Sequence, residues 1–251
     1  MNWIIMRLVP LTQVPLVRQG DDIPAILSDV LAEEQVEVED DDVLVVAQSI
    51  ISKAEGSVVD LDSVEVGKRA EKISEEIDED PRRVQVILDQ TAEIVRQKHV
   101  LISRTKHGFV CADAGVDGSN VDDGKVTLLP EDPDRSAEKI KVEVEGKMGK
   151  RIAVVISDSW GRPFRLGAVG FAIGVSGIRP LKSLKGRKDI YGRELRTTVL
   201  CPVDSIAAAA SLVMGEADEG IPAVLVKDVS YPRAEGSISD LIRDEGKDLF
   251  G

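Results

Sequence analysis

Two short runs of apolar residues constrain the fold of this chain more than any other feature. Residues 43–47 and 152–156 are continuous stretches rich in valine and isoleucine, with no polar residue alternating inside them. Strands buried on both faces of a sheet have this composition. Because segments with helical spacing lie between the runs, we predict the α/β class, with an α+β mixed sheet.

The overall composition fits an aliphatic core and an acidic surface. Aromatic residues make up only 3% of the 251 residues, so Val, Ile, Leu and Ala must fill the interior. The formal net charge of −13 argues against a general nucleic-acid surface, because binding a phosphate backbone requires a basic face. A phosphorylated substrate would therefore need a metal ion or a local basic cluster to overcome the negative field.

Neither membrane insertion nor export is indicated by the sequence. No apolar run approaches the length of a membrane span, and the first residues lack the layout of a signal peptide, so we expect a cytoplasmic protein. Cys111 and Cys201 lie in apolar contexts that are typical of buried free thiols. Together with His99 and His107 they are too scattered for a zinc site.

Residues 108–120 predict a strand that runs into an acidic turn. The turn offers carboxylates, a hydroxyl, an amide and flexible glycines, among them Asp113, Asp117, Ser119 and Asn120. Oxygen ligands of this kind hold Mg²⁺ or Mn²⁺, and glycine lets backbone N–H groups approach a phosphate. A polar turn without a ligand is the alternative, since turns select the same residues.

Two further acidic loops follow predicted elements. The second apolar run leads into residues 157–165, which contain Asp158, Ser159, Arg162 and Arg165. Arginines can contact phosphate through two parallel hydrogen bonds. Residues 215–220 form the third loop, with Glu216 as its first carboxylate. We therefore predict that Asp117, Asp158 and Glu216 bind one or two divalent cations, although each could equally be a turn or cap residue.

Lys53 is the phosphate-binding candidate from the first apolar run, because it lies in the polar segment that follows the run. A solvated helix lysine is its alternative interpretation. The basic segment 182–196 could be an anion-binding loop or a solvated connector. The chain has no Walker A motif, and its glycine-rich stretch 167–177 lacks the dinucleotide-binding pattern, so we expect neither a P-loop nor a Rossmann fold. That stretch instead predicts a closely packed strand.

Periodicity and capping signals predict the remaining elements. The predicted helices cover residues 20–32, 62–79, 81–97, 136–148 and 204–214, followed by a short terminal helix that opens at Ser237. The predicted strands cover residues 4–9, 195–200 and 223–226, together with a hairpin of 100–103 and 108–112. The predicted N-caps are Asp21 or Asp22, Asp134 or Ser136, and Asp204 or Ser205.

Several long motifs, in a fixed order along the chain, resemble the coenzyme F-420 gamma-glutamyl ligase family. They are V-L-V-V-A-Q-S-I-I-S-K-A-E-G, G-F-V-C-A-D-A-G-V-D-G-S-N, L-L-P-E-D-P-D-R-S-A, I-S-D-S-W-G-R-P-F-R, G-R-K-D-I-Y-G-R-E-L and M-G-E-A-D-E-G-I-P-A. The resemblance implies GTP-dependent addition of L-glutamate to the lactyl carboxylate of a deazaflavin precursor, through an acyl phosphate, followed by a gamma-linked glutamate. It also implies two Mn²⁺ or Mg²⁺ ions, stimulation by K⁺, and a homodimer with the active site between subunits.

The resemblance assigns roles to individual residues. Asp117, Asp158, Ser159 and Glu216 correspond to metal ligands, and the expected catalytic residues are Lys53, Asp117, Asp158, Arg162 and Arg165. The implied GTP contacts are Thr12, Gln13, Val14, Pro15, Gln48, Ser49, Lys53, Asn120, Met214, Gly215, Glu216, Ala217, Asp218, Glu219, Gly220 and Ile221.

The same resemblance implies a two-lobed ligase fold, and the chain departs from the family pattern in three places. Residues 1–80 with 178–251 would form the lobe with the nucleotide-binding loops, and residues 81–177 the lobe with the metal loops. Gln13 stands where glycine is usual, Asp113 where asparagine is common, and Ser159 where threonine is usual. The chain ends without a reductase-like extension, so we expect ligase activity alone.

Two other functions remain open at this point. One is a different metal-dependent amide ligase or phosphotransferase that uses a nucleotide. The other is a non-catalytic regulator that binds a nucleotide without turning it over.

Overall fold

The computed structural model describes residues 5–244 and 246. Its helices are α1 (Ile23–Glu33), α2 (Gln48–Glu55), α3 (Lys68–Ile77), α4 (Pro81–Gln90), α5 (Pro133–Met148) and α6 (Pro202–Met214). Its strands are β1 (Arg7–Pro10), β2 (Val43–Ala47), β3 (Val58–Asp60), β4 (Thr91–Gln97), β5 (Leu101–Thr105), β6 (Val110–Ala112), β7 (Lys125–Thr127), β8 (Ala153–Arg162), β9 (Arg165–Ser176), β10 (Lys182–Ser183), β11 (Val199–Leu200) and β12 (Ala223–Lys227). Short 3₁₀ turns cover Leu61–Ser63, Asp113–Gly115 and Ile238–Leu241.

A five-stranded mixed sheet of order β1-β12-β2-β8-β9 forms the centre of the protein and confirms the predicted fold class. The two apolar runs are its neighbouring strands β2 and β8, which pair in parallel from Val43–Ala153 to Ala47–Ser157. All other pairings in this sheet are antiparallel. Because β2 and β8 run in the same direction, the polar segments that follow them emerge at one edge of the sheet.

Helices α5 and α6 both pack closely against β9, and two glycines permit the contact. A Cβ added at Gly174 would lie 2.6 Å from the backbone of Pro133 in α5. At Gly170 it would lie 2.7 Å from the carbonyl oxygen of Ala207 in α6. The glycine-rich stretch is therefore a closely packed strand, as predicted.

A second hydrophobic core lies outside the central sheet. The sheet of order β4-β5-β6 contributes Leu101, and helices α3 and α4 contribute buried residues such as Ile73 and Val84. Val116, just after the 3₁₀ turn Asp113–Gly115, and Val126 of β7 join the same core. The division into lobes 1–80 with 178–251 and 81–177 stays a prediction; strands β8 and β9 pair within the central sheet.

Several predicted element boundaries are wrong. The helix predicted over 81–97 ends at Gln90, and Thr91–Gln97 instead form a strand, because β5 supplies an antiparallel partner along their length. The helix predicted from residue 62 starts at Lys68, after a 3₁₀ turn. Only Val199–Leu200 of the predicted strand 195–200 form a strand. Residue 4, the predicted start of the first strand, lies outside the described residues.

The helix caps are correct in two cases and wrong in two. Asp22 caps α1 and Ser237 opens the terminal 3₁₀ turn with a capping box. The cap of α5 is Asp132, and Asp134 instead accepts a hydrogen bond from the backbone of β9. Asp204 likewise accepts from Ala172 N, so α6 begins without a side-chain cap.

Both cysteines are free thiols, as predicted, with Cys111 buried and Cys201 half-buried. Burial raises the pKa of each thiol to about 12. Within residues 5–244 and 246, no helix combines the length and apolar character that a membrane span requires.

Candidate active site

A cleft of about 520 Å³ opens at the sheet edge where β2 ends and β8 continues. Residues drawn from five stretches of chain that are distant in sequence line it: from 14–17, from 47–53, from 112–120, from 157–161 with 168 and 170, and from 211–222 without Asp218; Arg83 from α4 lines it in addition. All three predicted carboxylate loops therefore meet in one place.

Asp158 lies on strand β8, and hydrogen bonds hold both oxygens of its carboxylate. Strand β8 runs on past its parallel pairing with β2, and Asp158 is paired with Phe171 of β9. Its Oδ1 accepts from Ser159 N at 2.9 Å, and its Oδ2 accepts from Trp160 Nε1 at 2.7 Å. These bonds fix both carboxylate oxygens, so the side chain has one defined orientation.

The pKa of Asp158 is raised to about 6. Burial is the main cause, the charges of Asp117 and Glu216 add to it, and the hydrogen bonds from Trp160 and Ser159 oppose it. The electrostatic effect of Asp117 and Glu216 on Asp158 means that the three carboxylates lie in one interacting group.

Asp117 is placed by a tight backbone arrangement. Its N–H donates to Thr127 O at 3.1 Å and its carbonyl accepts from Thr127 N at 2.7 Å, which joins the acidic loop to β7. Its side chain accepts hydrogen bonds from the backbone N–H and the hydroxyl of Ser119. The preceding turn is left-handed at Asp113, Ala114 and Gly115, with φ of 52°, 52° and 74°.

Glu216 follows the end of α6 and is tied to β8 through Ser159, whose hydroxyl donates to Glu216 Oε1. Gly215 turns the chain there with a φ of 72°. Glu219 accepts from Ala217 N at 2.8 Å, so this carboxylate holds the loop's own backbone. The serine hydroxyl thus links the second and third acidic loops.

The oxygen donors fit a hard divalent cation that is shared with phosphate. Among the described residues, no group of three His, Cys, Asp or Glu side chains is arranged as a ready-made metal site. Mg²⁺ is usually held through one or two carboxylates together with phosphate oxygens and water, without a closed cage of protein ligands. Asp117, Asp158, Ser159 and Glu216 have the chemistry for that mode of binding.

The first turn of α2 also lines the cleft. Gln48 Nε2 donates to Ser52 Oγ at 2.6 Å and to Leu128 O at 2.9 Å, which fixes the start of the helix. Helix N-termini favour anions because their first N–H groups have no partner within the helix. Burial lowers the pKa of Lys53, partly offset by the charge of Asp122. The segment after β2 is therefore a helix from its first residue, and Lys53 lies in that helix at the cleft.

Most of the other predicted nucleotide contacts line the cleft as well. They are Val14, Pro15, Ser49, Asn120, Met214, Gly215, Ala217, Glu219, Gly220 and Ile221. Asp218, on the same acidic turn, is exposed and does not line it.

Thr12 and Gln13 lie outside the lining. Their backbone N–H groups donate to Glu34 Oε1, each at 2.7 Å, and the Thr12 hydroxyl donates to the same oxygen at 3.1 Å. These bonds hold the turn that carries Val14 and Pro15 into the cleft.

Arg162 and Arg165 also lie outside the lining, at the end of the β8–β9 hairpin, where they face each other in register. Arg162 Nη2 donates to the carbonyl oxygens of Leu166 and Gly167, both at 3.2 Å. Arg165 is exposed. The roles that the resemblance assigns to these two arginines stay predictions.

Several lining residues were not predicted as site residues from the sequence, among them Arg83, Trp160 and Ser211. Arg83 belongs to a helix that we interpreted as packing only, and its Nη2 lies 3.4 Å from Asp113 Oδ2. Trp160 donates a hydrogen bond to Asp158, and the only sign of it in the sequence was its position next to Ser159. Ser211 comes from α6 and gave no signal in the sequence. The basic segment 182–196 contributes no residue to the lining.

Comparisons with known proteins agree with the geometry. Residues 12–228 match the family model described as F420-0:Gamma-glutamyl ligase. The chain is 46% identical over 250 residues to the "Coenzyme F420:L-glutamate ligase" of Methanothermobacter thermautotrophicus, with 98% of each chain covered. It is 49% identical over 239 residues to the protein of that name from Methanocaldococcus jannaschii, covering 95% of this chain and 94% of that one. The protein of that name from Archaeoglobus fulgidus is 43% identical over 245 residues, with coverage of 98% and 96%.

The resemblance inferred from the motifs is thereby confirmed. The family model spans most of the chain, and the relatives align with it over nearly its whole length. This chain belongs to the F420-0:Gamma-glutamyl ligase family.

Proposed function

We propose that the protein adds L-glutamate to the lactyl carboxylate of the deazaflavin precursor of coenzyme F-420, and then adds a gamma-linked glutamate. The family and the names of its relatives support glutamate ligation to this acceptor. The observation that carries the proposal is the meeting of Asp117, Asp158 and Glu216 in one cleft that Lys53 and the first turn of α2 also line.

We propose GTP as the cosubstrate and an acyl phosphate as the intermediate. A carboxylate is a poor acyl donor, so the terminal phosphoryl group of GTP is first transferred to the acceptor carboxylate. The glutamate amine then attacks the acyl carbon, the C–N bond forms, and inorganic phosphate leaves. In this scheme Lys53 and the N-terminus of α2 bind the phosphates and reduce the repulsion from the acidic wall.

Asp117, Asp158, Ser159 and Glu216 are the proposed holders of two Mg²⁺ or Mn²⁺ ions. Such ions, when bound, neutralise charge on the phosphoryl group during transfer. Burial is the main cause of the raised pKa of Asp158, and the negative charges of Asp117 and Glu216 raise it further, so a cation would relieve that repulsion. Asp158 stays in position because its two oxygens are hydrogen-bonded to Ser159 and Trp160.

Stimulation by K⁺ and a homodimer are further proposals, and the family resemblance is the support for K⁺. The dimer has an additional support in the β8–β9 hairpin. Phe164 and Leu166 at its end are 92% and 99% exposed, and a second copy of the chain could cover them. Sedimentation velocity would test the dimer, and a monomer at micromolar concentration would contradict it.

Arg162 and Arg165 on the same hairpin remain candidates for neutralising substrate charge.

Mass spectrometry of the reaction products is the direct test. The protein is incubated with the deazaflavin precursor, GTP, Mn²⁺ and L-glutamate, and the masses of the products report the number of glutamates added. Asp117→Ala is expected to abolish turnover while preserving the fold. Asp123→Ala is the matched control, because Asp123 is an exposed acid of the same loop outside the cleft lining. Normal ligation by Asp117→Ala would sink the assignment.

Two additional measurements separate the alternatives. Replacing GTP with ATP, and glutamate with other amines, distinguishes this ligase from another amide ligase or phosphotransferase. Release of GDP that depends on the acceptor distinguishes catalysis from regulation, since a regulator would bind GTP without acceptor-dependent hydrolysis.

A further inference from the structure

A second cavity, of about 210 Å³, adjoins the cleft and has no role in the scheme above. Within the described part of the chain, Trp160 is the one residue that lines both cavities. Its Nε1 donates to Asp158 in the cleft, while its ring packs beside Phe109 and Phe171 in the second cavity. The two cavities are therefore connected through a single aromatic side chain.

The wall of the second cavity is unusually aromatic for this protein. The whole sequence holds four Phe, two Trp and two Tyr, and three of these rings meet here. The centroids of Trp160 and Phe171 lie 5.7 Å apart with the ring planes 26° from parallel, and those of Phe109 and Trp160 lie 5.4 Å apart. Phe109 is buried, but Trp160 and Phe171 are only half-buried. Part of the aromatic surface is thus left accessible to a ligand.

The charged groups of the cavity are two arginines and one aspartate. Arg104 forms an ion pair with Glu93 at 3.3 Å, and its side chain is 19% exposed. Asp204 Oδ1 accepts a hydrogen bond from Ala172 N at 3.0 Å. Arg243 lines the cavity from the C-terminal segment, next to Ile242. The cavity therefore combines an apolar, aromatic wall with guanidinium and carboxylate groups, which suits an aromatic ligand that bears polar substituents.

We propose that this cavity binds the planar ring system of the acceptor, while the acceptor's carboxylate lies in the cleft beside Asp158. The inference rests on the proposed function, because it takes a planar aromatic carboxylate as the acceptor. A volume of about 210 Å³ is below that of sites which enclose a complete ligand, so the remainder of the acceptor must lie outside it. Trp160 then contacts the ring on one side and orients the catalytic carboxylate on the other.

Fluorescence of Trp160 tests the position of the ring. The sequence has only one other tryptophan, so a Trp3→Phe protein reports on Trp160 alone. Titration with the deazaflavin precursor in the absence of GTP is expected to quench this emission to saturation. Equilibrium dialysis measures binding independently. Saturable binding by dialysis with unchanged Trp160 emission would overturn the inference.

Phe171→Leu tests the aromatic wall, because leucine keeps the apolar bulk and removes the ring face. The dissociation constant for the precursor is expected to rise about three- to tenfold, the range for one lost aromatic pair, while GTP affinity stays unchanged. Val142→Ala is the control, since Val142 is 60% exposed on α5 and lines neither cavity. Wild-type precursor affinity in Phe171→Leu would contradict the inference.

Failure of this inference is distinguishable from failure of the proposed function, because both tests measure binding. A protein that quenches Trp160 with the precursor but forms no glutamyl product would refute the ligase and leave the ring site intact. A protein that ligates glutamate normally with no response of Trp160 would refute the ring site alone. Absence of any precursor binding would refute both.

Discussion

Arg83 Nη2 lies 3.4 Å from Asp113 Oδ2 and 3.3 Å from the carbonyl oxygen of Val116. The arginine thus joins α4 to both ends of the left-handed turn that precedes Asp117. Asp113 also accepts from Leu101 N at 3.2 Å. Burial raises the pKa of Asp113, and the bond from Leu101 and the charge of Arg83 oppose that rise. The carboxylate of Asp113 is therefore paired and takes part in holding the turn.

Replacing Arg83 with methionine should loosen this turn. Arg83→Met keeps the length of the side chain and leaves Asp113 half-buried without its cationic partner. The free energy of unfolding at neutral pH is expected to fall by about 1–3 kcal/mol. The double variant Arg83→Met/Asp113→Asn should recover part of this lost stability, because it no longer leaves an unpaired charge at residue 113. Urea denaturation measures both. Arg82→Met is the control, because the ion pairs that Arg82 forms with Asp62 and Asp80 are more exposed than the pair between Arg83 and Asp113. Equal losses in Arg82→Met and Arg83→Met would contradict this interpretation.

Gly174 should not tolerate a methyl group. Gly174→Ala would place Cβ 2.6 Å from the backbone of Pro133, and we expect a loss of about 1–3 kcal/mol or more in unfolding free energy, since α5 must move off β9. Gly146→Ala is the matched substitution on α5, because nothing lies within 4 Å of its added Cβ. It should gain about 0.5–1 kcal/mol through helix propensity. Thermal unfolding of the two variants provides the test, and a stabilised Gly174→Ala protein would refute the close approach.

Asp158 should make the metal-free protein less stable as the pH rises through the mildly acidic range. Its carboxyl titrates near 3.9 when unfolded and at about 6 when folded, so between these values the folded state binds more protons. Its contribution to stability is therefore greatest below pH 4 and is lost by about pH 6, an effect of roughly 3 kcal/mol. Denaturation curves of wild type and Asp158→Asn at several pH values isolate this effect. The same pH dependence in both proteins would rule it out.

Lys227 should be essential for stability as long as its acidic partner remains. Its Nζ lies 2.7 Å from Asp42 Oδ2 and 2.8 Å from Glu39 Oε2, and its side chain is 3% exposed. Lys227→Met leaves Asp42 buried and unpaired, which is expected to cost about 3–5 kcal/mol. Lys227→Met/Asp42→Asn should recover much of this loss, whereas exposed Lys150→Met should change stability by about 0.5 kcal/mol or less. A double variant as unstable as Lys227→Met would show that charge burial is not the cause.

Local patterns were sufficient to predict the features that depend on one stretch of chain. The apolar runs at 43–47 and 152–156 became adjacent parallel strands, because strands with no polar alternation are stable only inside a covered sheet. The three acidic segments meet in one cleft, but the parallel pairing of β2 with β8 accounts only for Asp158, since Asp117 follows the sheet β4-β5-β6 and Glu216 follows helix α6. The sequence indicated Asp117, Asp158 and Glu216 as candidates, the structure brings them into one cleft, and their roles as metal ligands stay predictions.

Features that depend on distant partners were not predictable in this way. Residues 91–97 have apolar spacing compatible with a helix, and only their pairing with β5 makes them a strand. Arg83 lines the cleft because α4 packs beside the turn at Asp113, a contact between residues 30 positions apart. Arg162 is bound to carbonyls of its own hairpin, which its position in a motif does not indicate.

The sheet order has a consequence for how this protein is made. Strand β12 lies between β1 and β2, and the loop just before it supplies Glu216 to the cleft. A nascent chain on the ribosome therefore lacks the strand that pairs with β1 in the described structure until residue 227 has been added, and it lacks the Glu216 loop of the cleft until shortly before that. Any ligand that spans the cleft can stabilise the finished chain but cannot assist the earlier stages of its synthesis.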